Sequence, residues 1–379
     1  MICVSLVGSL LANSLCANYL QANKLVHCRQ HITPLPVCCV FDVIEVNPMI
    51  SSQIHLASRP VGMPTLANFK QVEVTLPALK AGEVLVKNTW MSVDPYMRGR
   101  MMDRDSYIPP FQIDAVMDGG AIGEVIESLN PQFPVGSKVS HISGWRSAFI
   151  SDGQDLTLLP AVNIPEQYFL GVIGMPGLTA WVGLMQIAKL KPTDTVFVSA
   201  ASGAVGMVVC QIAKLNGCKV IASVGSDEKA ELVQSLGVDA VINYKKVTDL
   251  TQALRDAAPN GIDVYFENVG GAHLEAALNV LNEYGRIPVC GMIADYNAQA
   301  PVSGPSNLLA INTKKLTMQG FIVMDYFDQF EEFIAQMAQW LQAGKVKSQE
   351  TVYHGLDQAA EAFIGLFEGK NKGKMLVKL

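Results

Sequence analysis

Residues 195–215 read TVFVSAASGAVGMVVCQIAKL. An apolar, β-branched run, Thr195 to Val198, has the length and composition of a buried strand. It opens into the small residues Ala201, Ser202, Gly203, Ala204, Val205 and Gly206, and then into an apolar helical stretch. Small side chains let the backbone approach a pyrophosphate closely, and the unpaired amides and positive dipole end of the following helix favour its charge. A glycine pair by itself also suits any tight strand-to-helix turn, so the flanking pattern decides between the two.

Downstream, strand and helix patterns alternate: strand KVIASVG, helix DEKAELVQSLG, strand AVINY, helix VTDLTQALRDAA, strand GIDVYFENV, helix AHLEAALNVL and strand GRIPVCGM. Apolar strands between amphipathic helices predict an α/β fold with a doubly wound parallel sheet covered on both faces. Upstream, between residues 70 and 160, short runs such as QVEVTL, EVLVKNTWMSV, AVMDGGAIGEVIES and SKVSHIS are broken by Gly, Pro and Asn, the pattern of a mostly β domain. The rhythm changes at IGMPGLTAWVGLMQIAKL, and the last stretch returns to short strands around DQAAEAFIGLFEG. The expected organisation is a mostly β domain made of residues 49–174 and 346–379, with a nucleotide-binding domain, residues 175–345, inserted between its two parts. Residues 1–48 are expected to form a poorly structured extension.

Half the residues are apolar and 16% are charged, ample for a large core. A net charge of −6 gives no general attraction to a polyanion, so nucleic acid is not an expected partner. Five of the eight cysteines (Cys3, Cys16, Cys28, Cys38 and Cys39) lie before Met49, and the three in the body, Cys210, Cys218 and Cys290, sit on apolar segments. Such scattered thiols read as reduced, which points to a cytoplasmic location. The first residues are apolar but lack a basic n-region, and their apolar run is too short and interrupted for a membrane span, so no membrane association is expected.

The strand after the glycine turn ends Ala222, Ser223, Val224, Gly225, Ser226, without the acid that usually accepts from the ribose hydroxyls of NAD. Lys229 follows, a cation able to meet a 2′-phosphate, so NADP(H) is the expected cofactor. Asp227 and Glu228 are read as helix-start acids that cap free amides and complement the dipole. Asn268 in VYFENVGG and Cys290 to Tyr296 in CGMIADY occupy two further strand ends facing the same crevice. The body has no Cys-x-x-Cys, and MDGGAIGEV has glycine where a Gly-His-Glu ligand motif would stand, so no metal site is expected. His141, His273 and His354 lack ligand spacing and read as surface or satisfied polar residues. No Gly-x-Ser-x-Gly elbow is present.

From Met49 to the C-terminus, the linked motifs MSVDPYMRGRM, GMPGLTAW, SAASGAVG, GSDEK, FENVGG, CGMIADYN and GKNKGKMLVKL resemble the zinc-independent medium-chain dehydrogenases/reductases. These include leukotriene B4 12-hydroxydehydrogenase/prostaglandin reductase, plant alkenal double-bond reductases and bacterial curcumin reductase. The resemblance implies a Rossmann domain set in a GroES-like one, and NADPH-dependent reduction of the C=C bond of small-molecule enones or enals by hydride transfer to the β-carbon. It also implies a homodimer. Carried over, Gly203, Ala204, Val205 and Gly206 would hold the pyrophosphate, and Lys229 and Tyr244 the 2′-phosphate end. Asn268, Cys290, Gly291, Met292, Ile293, Ala294, Asp295, Tyr296, Phe321, Ile322, Val323 and Asn371 would line the rest of the dinucleotide, with Thr179 near the nicotinamide. Tyr96 is the candidate catalytic phenol or, alternatively, a packed aromatic shaping the pocket. Several relatives carry a second tyrosine where this chain reads LLAINTKKLTM, with Thr313 near the expected place. A quinone reductase of the same superfamily and a non-catalytic NADP-binding protein are the competing readings.

Overall fold

The chain visits one sheet, leaves it for a second, and returns to the first. The computed structural model describes residues 25–28, 41–44 and 49–379. β1 (Leu25–Cys28) pairs with β2 (Phe41–Ile44) antiparallel. The expectation for residues 1–48 otherwise falls outside the described residues. β3 (Ile50–Leu56) and β4 (Phe69–Thr75) form a two-stranded ladder. β5 (Val84–Ser92), β6 (Ala121–Ser128), β7 (Lys138–His141), β8 (Ala148–Ser151) and β9 (Thr157–Leu158) build an antiparallel sheet, with the short helix α1 (Met97–Arg100) between β5 and β6.

The second sheet has six strands, all parallel: β10 (Thr195–Val198), β11 (Lys219–Val224), β12 (Ala240–Asn243), β13 (Ile262–Phe266), β14 (Leu281–Val289) and β15 (Thr317–Gly320). Their spatial order is β12-β11-β10-β13-β14-β15, so the winding reverses beside β10. That is the Rossmann arrangement, in which the crevice beyond the carboxyl ends of β10 and β13 is the natural ligand site. Around it run α2 (Met175–Val182), α3 (Ala204–Leu215), α4 (Asp227–Gln234), α5 (Leu250–Ala257), α6 (Gly271–Val280), α7 (Ala310–Thr313) and α8 (Phe330–Gln342).

Alternation along these strands fills a core on each face. Val196 and Val198 join Trp181, Val209, Phe333 and Met337 on one side. Phe197, Ile221 and Tyr265 join Leu254, Leu274 and Leu278 on the other. Phe197 and Tyr265 are fully buried and stack at 5.1 Å between centroids. Each such side chain contributes about 1.5–3 kcal/mol by leaving water.

After α8 the chain returns to the first sheet through β16 (Glu350–His354), α9 (Ala359–Phe367) and β17 (Lys374–Lys378). β17 pairs antiparallel with β5 and parallel with β16. The Rossmann unit is therefore an insertion in a mostly β, GroES-like domain whose sheet needs both ends of the chain. The loop before β17 ends at Gly373, whose φ is 69° and whose added Cβ would fall 1.8 Å from the Gln349 carbonyl, so only glycine fits there.

Candidate active site

The turn after β10 is shaped for close backbone approach. Ala200 takes a left-handed φ of 47°, and Gly203 is the N-cap of α3 in extended conformation. A Cβ on Gly206 would lie 2.4 Å from the Ala200 carbonyl and 2.8 Å from Ala201 Cα, so this first turn of the helix accepts only glycine. No side chain caps α3. The unpaired amides around Ala204 and Val205 thus suit the diphosphate of a dinucleotide. The loop before β17 closes over this turn: Gly373 N–H donates to the Ser202 carbonyl at 2.8 Å, and Asn371 Nδ2 donates to the Gly373 carbonyl at 3.0 Å. Asn371 is thereby brought beside the glycine turn although 168 residues separate it from Gly203.

At the ends of β11 and β12 the charges sort themselves by sign. Ser226 caps α4 by accepting from Lys229 N–H. Asp227 is engaged by Lys246 and by Asn243 Nδ2, and Glu228 by Lys372. These partners hold both carboxyls below the usual range. Neither acid is free for a ribose; both lie in the first turn of α4, but the amide cap is Ser226 and not the acids, whose carboxylates go to side chains instead. The Lys229 ammonium is half-buried, and among the described residues no carboxylate pairs with it. Burial lowers its pKa, as do Lys245 and Lys372 nearby. The Tyr244 hydroxyl lies over Gly225, 3.0 Å from where a Cβ would stand, and its ring meets His273 edge-on at 4.9 Å.

The other end of the crevice is tied by a buried network. Glu267, fully buried, accepts from Val269 N–H at 2.6 Å, Gly270 N–H at 2.8 Å and the Tyr265 hydroxyl at 2.8 Å. Burial raises its pKa despite these donors. Asn268 donates through its backbone to Ser199 Oγ at 3.0 Å and through Nδ2 to the Ser199 carbonyl at 2.8 Å. Cys290 and Gly291 donate to the Glu267 carbonyl, Ile293 to that of Asn268, and Ala294 to that of Val269. The run from Cys290 to Tyr296, with Met292 and Asp295, is thus laced to the end of β13. Tyr296 folds back so that its hydroxyl is 2.8 Å from where a Cβ on Gly291 would stand.

Tyr96 stands where α1 begins. Its ring packs on the Met91, Met97 and Trp145 cluster, so the packed-aromatic role is real. Burial and the nearby Asp94 raise its pKa well above the usual value. Tyr107, which sequence reasoning did not single out, is close enough to perturb both Tyr96 and Tyr296. Burial raises Tyr107 and takes Tyr296 to about 12. The only signal in the sequence was one of two aromatics, Tyr107 and Phe111, in the loop MMDRDSYIPPF. Arg100 holds that loop through the Pro109 carbonyl at 2.9 Å and a pair with Asp118. Arg98 bridges the two domains, donating to Asn297 Oδ1 and to the Gly62 carbonyl at 2.9 Å each.

The remaining residues singled out in the sequence are placed as follows. Thr179 gives its hydroxyl to the Met175 carbonyl of its own helix. Phe321 packs against Gly183, and with Val323 borders the core at the end of β15, Ile322 lying between them. Thr313 caps the Leu309 carbonyl on an exposed turn. His141 and His273 are buried, not superficial. His273 is satisfied by Ser223 Oγ at 2.9 Å, whereas His141 Nε2 has no partner. Cys210 and Cys218 are buried free thiols, and Cys290 is a free thiol on a partly buried residue. Among the described residues no three His, Cys, Asp or Glu side chains converge to hold a metal, and no helix is long and apolar enough to cross a membrane.

Two family models match: "N-terminal domain of oxidoreductase" over residues 52–159 and "Zinc-binding dehydrogenase" over residues 204–340. NADPH-dependent curcumin reductase of Escherichia coli is 41% identical over 330 residues, 86% of this chain and 95% of that protein. The NADP(+)-dependent 2-alkenal reductase of Nicotiana tabacum is 41% identical over 334 residues, 86% of this chain and 97% of its own length. CurA from Vibrio vulnificus, solved in complex with NADPH, superposes with a TM-score of 0.82 at 45% identity, covering 86% of this chain and 98% of CurA. With the glycine turn, the split β domain and identity over nearly the whole length of these proteins, the chain belongs to the zinc-independent medium-chain dehydrogenase/reductase family of NADP-dependent oxidoreductases.

Proposed function

We propose that the chain reduces the C=C bond of α,β-unsaturated ketones or aldehydes with NADPH. The observation that carries this reading is the glycine turn at the carboxyl end of β10, shaped for a dinucleotide, in a chain 41% identical over 334 residues to an NADP(+)-dependent 2-alkenal reductase. NADPH, when bound, supplies a hydride to the β-carbon of the enone. Gly203, Ala204, Val205 and Gly206 would hold its pyrophosphate, Lys229 and Tyr244 its 2′-phosphate, and Asn268, the Cys290–Tyr296 run and Asn371 the remainder. Residues 175–345 are the cofactor domain, and residues 49–174 with 346–379 supply the substrate side.

The protein's task is to orient the alkene and to stabilise charge that develops on the carbonyl oxygen. A phenol is protonated at neutral pH, and burial raises the Tyr96 pKa further, so its Oη is proposed to donate to that oxygen as it becomes an enolate. Asp94 cannot take this proton away, because its carboxylate is committed to Lys374 and Ser92. Tyr107 is more than half exposed, and solvent is the proposed source of the proton for the α-carbon. Hydride and proton together convert C=C to CH–CH and leave the carbonyl intact.

The test is steady-state oxidation of NADPH and of NADH with a medium-length 2-alkenal and with a simple quinone, the product identified by mass and NMR. A saturated aldehyde formed with NADPH preferred supports the proposal. Turnover with quinone alone, or an allylic alcohol as product, would overturn it.

A further inference from the structure

Positive charge at the adenosine end of the crevice exceeds what Lys229 supplies. Lys229 from α4, Lys245 after β12 and Lys372 from the loop before β17 lie close enough that the latter two depress the ammonium of the first. Among the described residues Glu228 is the one carboxylate that reaches into this group, pairing with Lys372 at 2.5 Å. Asp227 and Lys246 are paired with each other on the exposed side. Three cations thus face one anion, and the missing side chain of Gly369 leaves room over Lys229, whose Nζ is 3.6 Å from where a Cβ would stand.

We propose that Lys372 is a specificity-determining residue for the phosphorylated cofactor, leaving Glu228 to pair with the 2′-phosphate. This rests on the reading that the 2′-phosphate lies against Lys229 and Tyr244. The exchange is favourable because an exposed lysine–glutamate pair is weak. A phosphate monoester offers about twice the charge of a carboxylate, with three acceptor oxygens. Lys372 also differs from Lys229 in origin. It belongs to the β domain, one residue from Asn371 and one from Gly373, which is bonded to the glycine turn. Recognition of the phosphate is then shared between the inserted domain and the domain that receives it.

The test is calorimetric titration of the full chain with adenosine 2′,5′-bisphosphate and with 5′-AMP at fixed ionic strength. Wild type, K372M, K372R, E228Q, E228Q/K372M and K229M are compared, each checked for native circular dichroism. Lys372→Met is expected to weaken the bisphosphate about tenfold, the effect of losing one partly exposed charge-assisted contact, with little change for 5′-AMP. Lys372→Arg should retain the affinity. The loss must persist in the E228Q background. If E228Q/K372M instead binds the bisphosphate as well as E228Q does, Lys372 serves only to neutralise Glu228 and the proposal is overturned. If K229M weakens the bisphosphate and K372M does not, the assignment of Lys372 fails while the phosphate position stands. If K229M leaves the preference for the bisphosphate intact, the underlying position of the phosphate is wrong.

Discussion

Asp94→Asn should destabilise the protein more than a substitution on a short turn ordinarily would. Lys374 is almost completely buried, and its ammonium reaches Asp94 Oδ1 at 3.1 Å, the Val93 carbonyl at 3.0 Å and the Met375 carbonyl at 2.9 Å. Asparagine keeps the shape but removes the counter-charge, leaving an ammonium that only two carbonyls and an amide oxygen solvate. Breaking a buried pair from one side costs about 3–5 kcal/mol. With an unfolding entropy of about 2.1 cal/mol/K per residue over the roughly 330 residues from Met49, that corresponds to a fall in Tm of about 4–7 °C. Differential scanning calorimetry at pH 7 measures it. The companion variant Asp94→Asn/Lys374→Met removes both charges and should recover most of the loss, since apolar replacement of a buried pair is often neutral or better. A fall in Tm below about 1 °C for the single variant, or a double variant no better than the single one, would refute the argument that a stranded charge is the cause. Because Asp94 lies two residues before Tyr96, kcat should fall along with Tm in the single variant.

Tyr96→Phe removes the proposed donor to the carbonyl oxygen and should lower kcat for a 2-alkenal by about 10²–10³-fold, with the Kd for NADPH, read by fluorescence titration, little changed. Gly206→Ala forces a Cβ against the Ala200 carbonyl; the turn must open, and NADPH binding should weaken by at least about tenfold, as for overpacking that costs 1–3 kcal/mol. Burial pushes the Cys290 thiol up to about 12; the thiolate fraction then rises tenfold per pH unit through the neutral and alkaline range, so alkylation of Cys290 by an enal, followed by mass in the peptide that carries it, should be slow at pH 7 and accelerate tenfold from pH 8 to pH 9. His273 is held neutral, its pKa lowered to about 4 by burial. The unfolded chain therefore binds the extra proton first as pH falls below about 6.5, and stability present above that value is lost on the way to pH 4, by about 3 kcal/mol; urea titrations of His273→Gln should show a flatter profile over this window.

Much of this architecture is legible in the sequence because it rests on periodicity. β10 to β14 are short apolar runs bounded by amphipathic helices, and a parallel sheet buried on both faces leaves that pattern no other use. The glycine turn is equally legible, since Gly206 is fixed by backbone contacts within six residues. Tyr107 and the His273–Ser223 bond are not. Tyr107 lies in a loop whose course is set by Arg100 reaching Pro109 and Asp118, contacts between elements that no local pattern encodes. His273 is the satisfied polar residue of the two readings open to it, but its partner was not legible: its turn faces the end of β11, where Ser223 Oγ meets it, and its ring is buried against Tyr244. The segment from Ala310 to Gln342, with α7, β15 and α8, gave little signal of its own, because β15 pairs only with β14 and its TMQG sequence has no alternation to read.

The return of the chain to its first sheet has a consequence for how the cofactor site holds together. Asn371, Lys372 and Gly373 belong to the segment that enters β17, yet Gly373 is bonded to the Ser202 carbonyl in the glycine turn. The strand they lead into is anchored to β5 and, through Lys374, to Asp94 just before Tyr96. In the proposed placement a dinucleotide between the glycine turn and this loop touches both domains, and a ligand that binds only the native arrangement stabilises it by mass action. At a hundredfold excess over Kd, NADPH should raise stability by about 2.7 kcal/mol, and the gain should appear in the β domain as much as in the Rossmann domain. Hydrogen exchange is the discriminating measurement: slowed exchange at Gly373 and along β17 on adding NADPH is expected, and protection confined to α3 and β11 would mean that the last segment of the chain takes no part in holding the cofactor.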